Sequence, residues 1–97
     1  MQSVFKKHLL RAFSQETKEG VVDDNVKRFL NYLLEHQFID AINIRRYTII
    51  KEFELEYPKH DGHKTQTVYT IANRFNLSDR TVWTVLKDHL NRFDKKA

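Results

Sequence analysis

Apolar residues recur three or four positions apart through most of the chain, with short polar stretches between the runs. Phe5, Leu9, Ala12 and Phe13 fall on one helical face, with Val4 beside them and Lys6, Lys7 and Arg11 mostly opposite. That spacing predicts an amphipathic helix over residues 3–13. Residues 14–22 are polar, contain Gly20 and lack apolar periodicity, so they read as a linker. Asp23-Asp24-Asn25 then offers capping side chains and negative charge for a helix start. Val26, Phe29, Leu30, Leu33 and Leu34 follow at helical intervals, with Lys27, Arg28, Asn31 and Glu35 outside, and this second helix is expected to end near Gln37.

Asp40 is a plausible cap for a third helix reaching Tyr57. Tyr47, Ile50, Phe53 and Tyr57 lie along one line of it, and Ile42, Ile49 and Phe53 along the next. The β-branched run over residues 42–50 also suits a strand. The helical spacing continues through Phe53 and Tyr57, which favours helix. Pro58 has no amide hydrogen and disfavours a helical residue before it, so it ends the segment. Glu52, Glu54 and Glu56 read as a solvated face balanced by Arg45, Arg46 and Lys51. Residues 59–65 form a polar loop around Gly62.

Residues 66–90 carry the most information. Val68, Ile71, Ala72 and Phe75 share one face of a short helix. Asn76-Leu77-Ser78 interrupts it: Asn tolerates the left-handed backbone of a helix end, and Ser is a good N-cap. Leu77 is the expected buried residue of the tight turn. Val82, Val85, Leu86 and His89/Leu90 then make the inner stripe of a last helix, with Asp79 at its positive end. Two short helices, a three-residue turn and a small Ala where they cross form a helix-turn-helix pattern.

The segment resembles the helix-turn-helix DNA-binding superfamily, whose buried places are filled here by Ile71, Ala72, Phe75, Leu77, Val82 and Val85. Leu77-Ser78-Asp79-Arg80-Thr81-Val82 looks like the turn and recognition-helix start common in bacterial regulators. Asn76 departs from the Gly most often found there, and is the next best residue for that backbone. With the preceding helix, the pair would complete a homeodomain-like three-helix unit. The expected fold is therefore all-α: a helical N-terminal arm over residues 1–38, then a helix-turn-helix domain over 39–97. The layout is similar to phage-type activators that dimerise through such an arm, and Phe5, Leu9 and Phe13 offer an apolar surface for pairing. The same three residues would equally serve to pack the arm on its own domain.

Composition agrees with this reading without specifying it. The 97 residues are 40% hydrophobic and 12% aromatic, too apolar for a disordered chain. A mean hydropathy of −0.65, and no long apolar run, argue against a membrane protein. The first residues carry no signal-peptide pattern. There is no Cys, which removes disulfides, thiolate metal sites and Cys nucleophiles and fits a reducing cytosol. Two Gly and one Pro favour long helices over a turn-rich β fold. The net charge is +4: residues 1–60 hold ten Lys/Arg against nine Asp/Glu, and residues 61–97 hold seven against four. The basic excess lies where the resemblance places nucleic acid.

On that resemblance the last helix enters the major groove of double-stranded DNA, and Ser78, Asp79, Arg80, Thr81, Trp83 and Thr84 face base edges. Arg80 is the candidate for bidentate contact with guanine. Thr81 and Thr84 suit phosphates or thymine methyls. Asp79 accepts from cytosine or simply caps its helix, and Trp83 meets the DNA or packs against protein. Lys87 neutralises phosphate. Lys64, Thr65, Gln66 and Thr67 open the first helix of the pair, where free amides attract phosphate and set register. His60 and His63 flank Asp61 but lack a convergent fourth ligand, so a polar loop explains them better than a metal site. His8, His36 and His89 are scattered. No catalytic triad, glycine-rich phosphate loop or spaced carboxylate pair stands out, so neither an enzyme nor a cofactor is expected. The resemblance implies a small bacterial or phage transcription regulator, cytoplasmic and nucleoid-associated, acting as a homodimer. Alternatives are a DNA-targeting component of a recombination or transposition system, and a protein-interaction module that uses the fold without nucleic acid.

Overall fold

Helix is the only regular structure in the computed structural model, which describes residues 1–17 and 23–94, the side chains of Thr17 and residues 90–94 excepted. The order is α1 (Gln2–Thr17), α2 (Asp24–Glu35), α3 (Ala41–Glu56), a 3₁₀ turn (Tyr57–His60), α4 (Lys64–Phe75) and α5 (Asp79–Asp94). α1 runs on through Ser14, Gln15 and Glu16, which were expected in a linker. Gln and Glu are good helix formers, and no Gly or Pro precedes Gly20. The rest of the predicted linker, residues 18–22, lies outside the described residues.

The chain divides into two compact units, Met1–Thr48 and Ile49–Ala97. The division falls inside α3, whose first half packs into the first unit. There Phe5, Leu30, Leu34 and Ile44 are buried together, with Leu9, Leu10, Ile39 and Tyr47 against them. Phe5 meets Tyr47 edge to face, ring centres 5.6 Å apart. α1 is thus part of its own unit's core. Of the apolar arm expected to pair with another copy, Phe5 is buried, Leu9 is packed beside it, and Phe13 is exposed.

α2 begins and ends as its capping chemistry dictates. Asp23 accepts a hydrogen bond from the Val26 amide at 3.0 Å, satisfying one of the free amides of the first turn. At the other end Gln37 takes a left-handed backbone (φ 57°). The Gln37 amide donates to the Leu34 carbonyl at 3.2 Å and the Phe38 amide to the Leu33 carbonyl at 2.9 Å, a Schellman termination. The predicted inner stripe was too wide. Leu30 and Leu34 are buried and Leu33 is half-buried, but Phe29 is 63% exposed.

α3 departs furthest from its apolar pattern. Asp40 caps it as expected, accepting from the Ile42 amide at 2.7 Å. Its buried positions, however, are Ile44, Thr48, Ile49, Glu52 and Glu56, whereas Ile42 lies in solvent. Thr48 donates its hydroxyl to the Ile44 carbonyl at 2.7 Å. Glu52 and Glu56, expected on a solvated face, are buried because Arg74 reaches both: Nη1 to Glu52 Oε2 at 2.6 Å and Nη2 to Glu56 Oε1 at 2.7 Å. Only Glu54 behaves as predicted, exposed and 3.5 Å from Lys51.

The core of the second unit is Ile49, Val68, Ile71, Ala72, Val82 and Leu86, flanked by Phe53, Phe75, Leu77 and Val85. Fully burying an Ile, Leu or Val contributes roughly 1.5–3 kcal/mol, so this cluster dominates the unit's stability. Among the described residues every buried side-chain nitrogen or oxygen has a hydrogen-bond partner. The Arg74 hydrogen bond holds the Glu56 carboxyl below the usual 4.5, against the opposing pull of burial; the nearby charges of Arg74, Lys59 and His60 act with it. The same hydrogen bond raises Arg74.

A carboxyl with a lowered folded pKa adds stability above its unfolded value and loses it as pH falls through the folded one. Arg74→Ala is expected to destabilise the protein by about 2–4 kcal/mol at neutral pH, by removing the guanidinium that donates to two buried carboxylates. Arg74 is itself 39% exposed, which keeps this below the figure for a fully buried network. The loss should shrink near pH 4, where Glu56, freed of the hydrogen bond that lowers it, protonates more readily. Urea denaturation of both proteins at the two pH values checks it.

Candidate nucleic-acid interface

The corner between α4 and α5 is built from the residues that the sequence assigned to it. Asn76 is left-handed (φ 55°, ψ 47°). The Asn76 amide donates to the Asn73 carbonyl at 3.4 Å and the Leu77 amide to the Ala72 carbonyl at 2.8 Å. This is the same termination that closes α2, and here the following apolar residue, Leu77, packs on the core. Ser78 caps α5, its Oγ accepting from the Thr81 amide at 3.1 Å and sharing a 2.8 Å hydrogen bond with the Thr81 hydroxyl. α4 and α5 pack on each other, with Ile71 and Ala72 of the one and Val82 and Leu86 of the other buried in a shared cluster.

With Val82 and Leu86 pointing inward, helical geometry puts Arg80, Thr84 and Lys87 on the opposite face, and all three are exposed. Thr84 donates its hydroxyl to the Arg80 carbonyl at 2.8 Å, which leaves its methyl and the acceptor lone pairs of its oxygen for a ligand. Ser78 and Asp79 are exposed at the helix start, and Thr81 is half-buried with its hydroxyl engaged by Ser78. Trp83 lies outside the buried cluster on the flank of α5, 37% exposed.

Of the four residues expected at the start of α4, three are open to solvent. Lys64, Thr65 and Gln66 are exposed in its first turn. Thr67 is not: it is fully buried and donates its hydroxyl to the His63 carbonyl at 2.8 Å. It faces the core beside Val68 and Ile71, which removes it from the set of phosphate contacts.

Thr65 and Gln66 come together with Asp79 around an open cleft of about 370 Å³, completed by His60, Tyr69 and Thr70. Tyr69 is a residue that the sequence reading missed. It is 60% exposed and shares the outer face of α4 with Gln66 and Asn73, at positions three and seven along the helix. Its i, i+3 spacing from Gln66 was the available signal. His60, dismissed as loop, also lines the cleft, held 3.5 Å from Glu56 and 3.5 Å from Thr70. The chain between the 3₁₀ turn and α4 closes through left-handed Asp61 and Gly62 (φ 54° and 79°), the latter a conformation that suits glycine. The surface is thus a polar face with cations along α5 and at the start of α4, and a carboxylate at the mouth of the cleft. No helix among the described residues is long and apolar enough to cross a membrane.

Compared with known protein families, characterised proteins and solved structures, the chain matches none.

Ala72→Leu is expected to overpack the α4–α5 crossing and destabilise by about 1–3 kcal/mol. A lowered midpoint in thermal denaturation, with helical content retained at low temperature, is the expected readout.

Proposed function

We propose that residues 49–94 form a helix-turn-helix module that binds double-stranded DNA in a sequence-specific manner, in the service of transcription regulation. α5 is the recognition helix. Arg80 donates two guanidinium N–H groups to guanine O6 and N7, the Thr84 methyl meets a thymine methyl, and Lys87 neutralises phosphate. Lys64, Thr65 and Gln66 bind phosphate at the amide-rich start of α4. Asp79 accepts a hydrogen bond from cytosine or from a bridging water, since its charge would repel phosphate.

The observation that carries this reading is the outward line Arg80, Thr84 and Lys87, left uncovered in its unit by a corner made from Asn76, Leu77 and Ser78. A helix whose polar face were packed away could not enter a groove. One module contacts few bases, so a second copy on a second half-site belongs to the same reading. The exposed Tyr69 and the carboxylate of Asp79 in one cleft favour a second reading, a protein-interaction module that uses this face without nucleic acid.

Titration into random duplex DNA separates the two. DNA binding requires affinity at low salt that falls about 10–100-fold between roughly 50 and 200 mM salt, as released counterions dictate. No binding at low salt would favour the protein ligand. Within the DNA reading, Arg80→Ala should cost about 1–3 kcal/mol of preference for a selected site over random sequence, while Lys87→Ala weakens all sequences alike and lowers the salt slope by about one. Competition binding against random duplex reads both.

A further inference from the structure

α2 leaves a line of aromatic rings uncovered by its own unit. Phe29 and Tyr32 are 63% and 53% exposed, and Phe38, just past the helix, is 68% exposed. Phe29, Tyr32 and His36 fall three and seven positions apart along one line, turned largely away from the buried Leu30 and Leu34. Tyr32 and His36 have ring centres 4.2 Å apart, and Phe38 lies 6.3 Å from the first and 6.1 Å from the second. Tyr32, His36 and Phe38 are therefore already held by their mutual ring contacts, so a partner would immobilise less that is free. Phe38 follows a Schellman turn, where an apolar residue ordinarily folds back onto its helix. Leu77 does so after α4; Phe38 instead extends the strip outward.

We propose that this strip is the contact surface of a homodimer, formed by two antiparallel copies of α2 about a two-fold axis beside Tyr32. The inference goes beyond DNA binding and rests on the first unit alone. Its charges select the occupant. Arg28 and Glu35 are both exposed, seven residues apart on one line, and they border the strip at its two ends. Turning one helix about an axis near residue 32 brings Arg28 of each copy beside Glu35 of the other. An isologous contact needs that self-complementarity, because each residue meets its counterpart in exchange. A different protein would impose no such symmetry on this helix.

The area is of the right order. Aromatic side chains bury about 150–250 Å² when fully covered, so rings exposed to this extent present about 100–150 Å² each. With His36 and the bordering charges added, two copies approach the roughly 1,000 Å² that marks a specific association.

Sedimentation equilibrium of the full chain at tens of micromolar tests it. The wild type is expected to have about twice the mass of the 11.7 kDa chain. The double substitution F29E/Y32E is expected to give a monomer with unchanged helical circular dichroism, since both side chains are exposed. R28E or E35R alone should weaken the dimer about 5–30-fold by opposing like charges, and R28E/E35R together should restore it. A monomeric wild type, a dimer insensitive to F29E/Y32E, or a double charge swap without rescue would each overturn the proposal. Should F29E/Y32E lose its helical signal, the charge swap decides alone. Random-duplex binding measured on the same samples keeps the two readings apart. A monomer that binds DNA with steep salt dependence removes the dimer only, and a dimer that ignores DNA removes the nucleic-acid role only.

Discussion

The guanidinium of Arg74 is the interaction on which the second unit's geometry turns. It extends from α4 to Glu52 and Glu56 on α3, satisfying two carboxylates in one rigid fork. Burying ionised groups is unfavourable, and their attraction to a single cation recovers little more than the desolvation cost. The apolar cluster around Ile49, Ile71 and Val82 therefore supplies most of the stability. What the fork supplies is position. Rotating α4 about its axis would break charge-assisted hydrogen bonds to two buried carboxylates at once, a larger penalty than a small loss of apolar contact. Lys59 and His60, 3.7 and 3.5 Å from Glu56, bring the 3₁₀ turn into the same arrangement.

That constraint reaches the candidate interface through Ala72 and the corner that follows it. With α4 held in one orientation, the Ala72 carbonyl accepts the Leu77 amide, Asn76 turns left-handed, and Ser78 caps the next helix. Each step is local, and each depends on the one before. Together they aim Val82 and Leu86 inward and leave Arg80, Thr84 and Lys87 outward. Because the exposed face of α5 is the complement of the buried face, the same packing that stabilises α5 determines which side chains a ligand would meet.

The two Schellman turns show how one backbone device can have opposite consequences. After α4 the apolar residue Leu77 joins the core; after α2 the equivalent Phe38 stays in solvent, and Ile39 is the residue that packs inward. Local hydrogen bonding is alike in both, and the difference lies in what core is available beneath. A hydrophobic side chain left outside such a turn, in line with Phe29 and Tyr32, marks a surface that the unit itself does not use.

The sequence by itself determined the order of the helices, the caps of α2, α3 and α5, and the corner. These depend on neighbours within a few residues: Asp23 reaches Val26, Asp40 reaches Ile42, Ser78 reaches Thr81, and Asn76 accommodates its own backbone. Most of the polar face of α5 was legible for the same reason, since the inward stripe of Val82 and Leu86 leaves only one outward side. Tertiary structure alone decided the rest. Whether Phe29 or Ile42 is covered depends on how much surface faces it, and a helical pattern wider than its partner cannot reveal which edge is left over. Thr67 was misplaced because a Thr can bury itself by donating back to its own helix. Glu52 and Glu56 read as solvated because the cation that buries them lies 22 and 18 residues away, a distance that no local pattern encodes.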